Sequence, residues 1–196
     1  MEEWDAVVVG AGIMGVASAY HILLNSPEKK VLLVDRHDGP GQGNTGRSNA
    51  MFRNTFSSRD NQTLADSSIE AYLHVQGDLG VDLGLQKLGY LWLMSEGQLS
   101  SSEPFLAGME ANRIEFSRRP AEELEVMLPG IVLDGDSGGQ ASLLGLPKVA
   151  GGIFGPKCGR LDPDKLVRYY EGEFIKRGGR VAYGTEAKQL MVGPKD

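Results

Sequence analysis

Three glycines near the amino terminus and an acid further along the chain have the spacing of a nucleotide-phosphate site. Gly10, Gly12 and Gly15 form a GxGxxG pattern, and Asp35 follows at about the 20-residue distance that such sites use. Gly10 allows a sharp turn, Gly12 lets backbone N–H groups approach a pyrophosphate, and Gly15 allows close helix packing. The Asp35 carboxylate can accept hydrogen bonds from a ribose diol. These residues predict a site for the ADP half of a dinucleotide, either FAD or NAD.

A strand, a helix and a second strand must place these residues, and the sequence predicts all three in that order. Apolar runs at 5–10 and 31–35 predict strands, and the range 15–25 predicts the helix between them. Pro27 ends the helix, because proline cannot continue it. Glycine-rich turns without a ligand are common, but they lack this order of elements. The prediction is therefore a βαβ unit with parallel strands.

Composition excludes several classes of protein. The chain has 196 residues, with 20 Lys plus Arg against 26 Asp plus Glu, so its net charge of −6 lacks the basic surplus of a nucleic-acid binder. Its apolar runs fall short of the ~20 residues of a membrane-spanning helix, and its acidic amino terminus is unlike a signal peptide. One cysteine and three scattered histidines predict neither an internal disulfide nor a metal site. We therefore expect a cytoplasmic protein with no membrane span.

The rest of the chain predicts further elements around a long loop. The irregular stretch 36–59 is rich in Gly, Asn, Ser and Arg, and loops of this length are usually functional. Apolar periodicity predicts helices at 61–76, 103–113 and 120–129, and a last helix that is capped by Asp162, begins at Pro163 and stops before Gly178. Strand-forming runs occur at 89–94, 114–116, 180–184 and 187–192.

This order of elements predicts an α/β fold in which a second module interrupts a Rossmann-like βαβ domain. We expect residues 1–84 to form the first part of the nucleotide-binding domain. Residues 156–196 are expected to return to it. Residues 85–155 would form an inserted and only partly formed α+β module on the substrate side.

Several segments carry a resemblance to a known family, and they occur in the family's order over nearly the whole chain. They are VVVGAGIMGVASAYH with its downstream acid, GNTGRSNAMFRNTFS, DLGLQKLGYLWLM, and GGIFGPKCGRLDPDKLVRYY with the later GGRVAYGTEAKQL. On these segments the chain resembles the D-amino-acid-oxidase-like FAD flavoproteins, which include sarcosine oxidase, glycine oxidase and dye-linked L-proline dehydrogenase. The arginine-containing loop is more specific than the glycine motif, and it is most similar to the L-proline dehydrogenase type.

The resemblance implies that the dinucleotide is FAD, bound with its ADP end on the amino-terminal βαβ unit. It implies that Arg36 lies beside the adenosine and that the backbone of Ala187 contacts adenine. The long loop would lie against the pyrophosphate and the isoalloxazine edge. The implied FAD-binding residues are Gly10, Gly12, Ile13, Met14, Gly15, Asp35, Arg36, Gly43, Thr45, Gly46, Arg47, Ser48 and Ala187.

Two arginines of the long loop are the predicted catalytic residues. A cation beside the flavin stabilises negative charge that develops on the reduced ring, and Arg47 is the candidate for this role. A guanidinium also binds a carboxylate through two parallel hydrogen bonds, and Arg53 matches the family arginine at that position. Loop arginines more commonly lie in solvent or form weak surface ion pairs, so both assignments depend on the resemblance.

The activity implied by the resemblance is oxidation of the C–N bond of a small amine or amino acid, such as proline or sarcosine, by hydride transfer to flavin. Electrons would then pass to oxygen or to another redox partner. Relatives are nearly twice as long, so we expect this chain to be the amino-terminal portion of the fold, alone or in a homo- or hetero-oligomer. Two alternatives stay open. The chain could be a non-catalytic FAD- or dinucleotide-binding subunit or fragment that needs a partner chain, or a NAD-dependent dehydrogenase, which would leave the arginine loop unexplained.

Overall fold

A computed structural model describes residues 2–134 and 143–191, and the chain divides into two compact units. Unit 1 comprises Met1–Ala50, Asp82–Gly84 and Leu161–Asp196, and unit 2 comprises Met51–Val81 and Leu85–Arg160. The domain boundaries expected from the sequence differ from this division, since residues 51–81 were assigned to the first nucleotide-binding segment. Those functional boundaries stay a prediction.

Eight strands and six helices are described, and we number them in chain order. They are β1 (Ala6–Val9), α1 (Ile13–Asn25), β2 (Val31–Val34), β3 (Met51–Phe52), α2 (Arg59–Gly77), β4 (Tyr90–Met94), α3 (Glu96–Ser101), α4 (Glu103–Ala111), β5 (Ser117–Pro120), α5 (Ala121–Met127), β6 (Gly151–Gly155), β7 (Gly159–Arg160), α6 (Pro163–Lys176) and β8 (Arg180–Ala182).

Unit 1 is built on a parallel sheet with the strand order β1-β2-β8. The βαβ unit predicted from the sequence is confirmed, with α1 joining β1 to β2. Both α1 and α6 contribute to the core beside this sheet, where Leu23, Leu33 and Phe174 are almost completely buried. The predicted start of α6 is also confirmed, because the Asp162 side chain accepts hydrogen bonds from the N–H groups of Asp164 and Lys165.

Unit 2 is built on an antiparallel sheet with the strand order β4-β6-β5. Its core includes Leu106 and Met109 of α4 together with Ile114 and Ile153, and Trp92 of β4 packs against this cluster. A short antiparallel pair, β3 with β7, brings Phe52 opposite Gly159. Along β4, successive side chains point to opposite faces of the sheet, so Tyr90, Trp92 and Met94 lie on one face of the strand.

Two predicted strands were wrong. The strand predicted at 114–116 is found later in the chain, as β5, because Ile114 is buried against α4 and its N–H bonds to the Met109 carbonyl at the end of that helix. Pro120, predicted as the first residue of a helix, is the last residue of β5 and precedes α5. The strand predicted at 187–192 does not form over 187–191, whose residues are exposed, and Val192 lies outside the described residues.

One helix was not predicted, and the reason is local. α3 lies in a serine-rich stretch with little apolar periodicity, and none of its residues is buried. It is stabilised at its start by a capping box. The Ser95 hydroxyl accepts from the Gln98 N–H, and the Gln98 side chain accepts from the Ser95 N–H.

Over the described ranges, none of the helices is both long enough and apolar enough to cross a membrane. The same ranges contain no group of three or more His, Cys, Asp or Glu side chains that could hold a metal ion.

Candidate functional site

The turn between β1 and α1 depends on two glycines. Gly10 has a φ of 102°, a conformation that side chains disfavour, and its N–H bonds to the Val34 carbonyl at 2.8 Å. A Cβ added at Gly15 would lie 1.7 Å from the Gly10 carbonyl oxygen and 3.5 Å from a methyl carbon of Val8. Only glycine at position 15 therefore lets α1 begin this close to the end of β1.

The start of α1 leaves backbone donors available to a ligand. The Ile13 N–H is satisfied by the Thr45 hydroxyl at 3.0 Å. No acceptor for the N–H groups of Gly12, Met14 and Gly15 occurs among the residues that the structure describes. Free N–H groups at the start of a helix, together with its dipole, favour an anion. The turn therefore fits a pyrophosphate.

Asp35, directly after β2, connects this turn to the neighbouring strand. Its carboxylate accepts hydrogen bonds from the Ala11 N–H at 2.6 Å and from the His37 N–H at 2.8 Å. Partial burial raises the pKa of the Asp35 carboxyl, but these two N–H groups and the neighbouring His37 and Arg36 outweigh that effect and lower the pKa below its ordinary 3.8. The group is therefore a carboxylate at neutral pH, with lone pairs left for a ribose diol.

The long loop folds back onto the start of α1. The Gly41 N–H bonds to the Ala11 carbonyl at 2.9 Å, and the Gly46 N–H bonds to the Gly41 carbonyl at 2.8 Å. A Cβ at Gly46 would lie 2.6 Å from that same Gly41 oxygen, so the loop needs glycine there. Together with the Thr45 hydroxyl, these bonds place the loop beside the glycine turn.

A cavity of about 320 Å³ opens at this edge of the unit 1 sheet, within the ~300–1,000 Å³ range of small-molecule sites. It is lined by Val9, Gly10, Gly12, Asp35, Arg36, His37, Gly43, Thr185, Glu186 and Ala187. The other predicted FAD-binding residues, all described, are not among those that line it. They are Ile13, Met14, Gly15, Thr45, Gly46, Arg47 and Ser48.

Sequence reasoning did not assign His37, Thr185 or Glu186 to the site, although a signal for them exists. Parallel strands end at the same edge of a sheet, so the residues that follow β2 and β8 must meet there. The Thr185 N–H bonds to the Asp35 carbonyl at 2.8 Å, which brings the two segments together.

Replacement of Asp35 by asparagine is expected to destabilise unit 1. An amide offers one acceptor oxygen where the carboxylate offers two, so the Ala11 or the His37 N–H loses its partner. We expect a loss of about 1–2 kcal/mol in the free energy of unfolding, allowing for partial solvent exposure. A carboxyl whose folded pKa is lowered stabilises the fold above its ordinary pKa, and this stabilisation disappears as the pH falls through the folded pKa.

The deficit of Asp35→Asn should therefore stay constant above the ordinary pKa of 3.8 and shrink as the pH falls below it, as measured by urea unfolding. Asp38→Asn is the matched control, because the exposed Asp38 carboxylate accepts from the nearby Gln42 side chain and from its own backbone N–H, and its described partners do not include the glycine turn. If Asp35→Asn has the same free energy of unfolding as the parent protein at neutral pH, this role of the carboxylate is contradicted. A deficit that does not diminish in acid would contradict it as well.

The two predicted catalytic arginines lie in different units and are described separately. Arg47, in unit 1, is exposed, and no described residue forms a hydrogen bond or ion pair with its guanidinium. Arg53, in unit 2, follows β3 directly. Its guanidinium carbon lies 5.0 Å from the Phe56 ring centroid, 5.2 Å from that of Trp92 and 5.9 Å from that of Tyr90. Within the described ranges no carboxylate pairs with Arg53, so its charge is available to a ligand.

Comparison with known proteins gives a family match along almost the entire chain. A sequence model of the family described as FAD dependent oxidoreductase matches residues 5–195. Human peroxisomal sarcosine oxidase is 23% identical over 191 residues, covering 97% of this chain and 45% of the relative. L-2-hydroxyglutarate dehydrogenase of Escherichia coli is 23% identical over 195 residues, covering 95% of this chain and 41% of the relative.

Solved structures share the fold. L-proline dehydrogenase from P. horikoshii superposes with a TM-score of 0.79 at 19% identity, over 98% of this chain and 47% of that one. Glycine oxidase from Bacillus cereus superposes with a TM-score of 0.76 at 14% identity, over 97% of this chain and 49% of that one. The chain therefore spans less than half the length of these relatives.

Proposed function

Because the chain belongs to the FAD dependent oxidoreductase family, we propose that it carries the ADP-binding part of an enzyme that oxidises the C–N bond of a small amine or amino acid. The observation that carries this proposal is the cavity at the start of α1. There, Gly12 and Asp35 line one space; the Gly12 N–H has no acceptor among the described residues, and the equally unpaired N–H groups of Met14 and Gly15 follow along the first turn of α1. Those are the two groups that a pyrophosphate and a ribose require.

Each part of the ADP moiety has candidate partners in unit 1. The N–H groups of Gly12, Met14 and Gly15 would bind the pyrophosphate, and Asp35 would accept from the ribose hydroxyls. Arg36, which lines the same cavity, would lie beside the adenosine, and the Ala187 backbone would contact the adenine. FAD, when bound, supplies the redox chemistry.

Arg53 would orient the substrate through its carboxylate. Its guanidinium is charged, exposed and unpaired within the described ranges, and a guanidinium matches a planar carboxylate through two parallel hydrogen bonds. Sarcosine, glycine, L-proline and L-2-hydroxyglutarate, which appear in the names of the relatives, all carry a carboxylate. Arg53 therefore supports a carboxylated substrate, and the choice of a C–N bond is supported by the relatives that act on amines.

Arg47 would supply positive charge near the reduced flavin. Its place in the loop that bonds to the start of α1 supports this role, since that loop adjoins the cavity proposed for ADP. A fixed cation stabilises the negative charge that develops during reduction. Oxygen or another redox partner would then take up the electrons.

A second candidate function is a non-catalytic FAD-binding subunit, or a part of an enzyme that a partner chain completes. The observation in its favour is the length of the match, because the chain covers only 45% of the length of the sarcosine oxidases that it is similar to. The cavity of unit 1 would serve this function equally well. The two candidates differ in turnover, which only the catalytic one requires.

A substrate panel separates these candidates. The native protein should show flavin absorption near ~450 nm. It should also reduce an artificial dye with L-proline, sarcosine or glycine, with an imine or oxo acid as the product. If L-2-hydroxyglutarate is the one compound that reduces the dye, the proposed reaction is wrong in its bond: the enzyme would oxidise the C–O bond of a hydroxy acid and not the C–N bond of an amine. A flavin-containing protein that turns over none of these compounds would favour the non-catalytic subunit.

A further inference from the structure

We propose that Trp92, Tyr90 and Phe56 are positioning residues that form an aromatic clamp around the Arg53 guanidinium and hold it ready for a substrate carboxylate. This inference rests on the proposed function, because it assigns Arg53 the task of binding the substrate. It adds three residues whose contribution acts through Arg53.

The clamp is defined by three distances within unit 2. The guanidinium carbon of Arg53 lies over the Phe56 ring at 5.0 Å, the Trp92 ring at 5.2 Å and the Tyr90 ring at 5.9 Å. Each distance is within the ~6 Å over which a cation is attracted to the negative face of an aromatic ring. Trp is the strongest partner of this kind, so we expect Trp92 to contribute most.

The Trp92 ring is held in place by the core of unit 2. Trp92 packs against that core and meets Phe105 of α4 at 6.0 Å, with the ring planes nearly perpendicular at 85°. The Tyr90 ring lies 5.0 Å from Trp92 on the same face of β4. The surface that receives the guanidinium is therefore continuous with a packed interior.

The backbone that carries Arg53 is fixed just as firmly. Asn54 and Thr55, the next two residues, are 3% and 0% exposed. A Cβ at Gly155 would lie 2.6 Å from the Thr55 methyl carbon, so the absence of a side chain there makes room for Thr55. The Asn54 side chain also donates to the Asp66 carboxylate of α2 at 2.9 Å. The segment cannot shift without breaking these contacts.

The consequence is a charged group that is ordered before the substrate arrives. An arginine free in solvent loses much side-chain freedom when it binds a ligand, and prior ordering removes part of that cost. None of the described carboxylates pairs with Arg53, so the rings order the side chain without neutralising it. The clamp should therefore act on the affinity for carboxylated substrates and leave the rate at saturation nearly unchanged.

Substitutions at Trp92 provide the kinetic test in the native flavin-containing protein. Trp92→Leu is expected to raise the KM for a carboxylated substrate about threefold to 30-fold, with kcat nearly unchanged, and Trp92→Phe should recover most of the affinity. The control is Trp4→Leu, which removes a comparable tryptophan–arginine pair, Trp4 with Arg180 at 5.5 Å, in unit 1. A Trp92→Leu protein with normal flavin content and an unchanged KM would overturn the clamp.

Fluorescence gives a second test that does not depend on how Trp92 variants fold. In a Trp4→Phe background, Trp92 is the remaining tryptophan of the 196-residue sequence. Adding Arg53→Ala should change its emission, and unchanged emission would overturn the clamp. Acetate should alter the emission saturably when Arg53 is present, and neutral acetamide should not. If Arg53→Ala changes the emission but acetate has no effect, Arg53 contacts Trp92 but does not bind a carboxylate, and the role proposed for Arg53 in substrate binding is overturned.

Discussion

Gly15→Ala is expected to reduce flavin binding more than any other single-methyl change at the glycine turn. The added Cβ would lie 1.7 Å from the Gly10 carbonyl oxygen, a backbone atom that cannot rotate away. The start of α1 must therefore move from β1, and the proposed pyrophosphate donors move with it. Overpacking of this kind costs about 1–3 kcal/mol of stability. We expect the affinity for FAD to fall at least about tenfold, which corresponds to ~1.4 kcal/mol.

Gly172→Ala is the matched control for this prediction. Gly172 lies inside α6 and is not in a left-handed conformation. A Cβ added there would meet no heavy atom within 4 Å outside its own helix backbone and its two chain neighbours. Alanine is favoured over glycine inside helices, so this variant should unfold at the same or a higher temperature. Equilibrium titration with FAD and thermal unfolding of both variants check the prediction. Equal affinities and equal Tm values for the two variants would show that the close approach at Gly15 is unimportant.

Arg53→Ala is expected to weaken the binding of carboxylated substrates selectively. Loss of a hydrogen-bonded charge pair costs about 1.5–3 kcal/mol, so kcat/KM should fall roughly tenfold to 150-fold. Arg53→Lys should be intermediate, because an ammonium keeps the charge but loses the paired geometry. Flavin content should not change, since Arg53 belongs to unit 2 and every residue that lines the proposed nucleotide cavity belongs to unit 1.

Steady-state kinetics with L-proline and with pyrrolidine separate this effect from general damage. Pyrrolidine lacks the carboxylate, so its kcat/KM should be nearly the same in Arg53→Ala and in the parent protein. Arg59→Ala is the control for removing an exposed arginine close in sequence to Arg53, because Arg59 is exposed at the first turn of α2. Loss of bound flavin in Arg53→Ala, or equal losses for both amines, would refute the assignment of Arg53 as the carboxylate anchor.

The parts of the fold that the sequence predicted well are those determined by local patterns. The strand, glycine turn and second strand of unit 1 follow from β-branched runs and from backbone positions that only glycine tolerates. The start of α6 follows from Asp162 and Pro163, and its end follows from Gly178, which has a φ of 87°. Each of these signals is contained within a few neighbouring residues.

The features that sequence reasoning missed depend on contacts between distant segments. The Arg53 guanidinium contacts the rings of Tyr90 and Trp92 on β4, which lie more than 35 residues further along the chain. No local sequence pattern specifies a contact between segments that are this far apart. The displacement of β5 likewise results from the burial of Ile114 against α4. His37 and Thr185 could have been placed by the rule that parallel strands end at one edge, once β8 was paired with β2.

Anaerobic reduction of the native flavin-containing protein is the measurement that tests the central claim most directly. L-proline or sarcosine, added without oxygen or dye, should bleach the absorption near ~450 nm within seconds, and readmission of an acceptor should restore it. The Arg53→Ala protein should need a higher concentration of the amino acid for the same bleaching. A protein that retains its flavin absorption with every amine and amino acid tested would contradict the proposal of C–N oxidation.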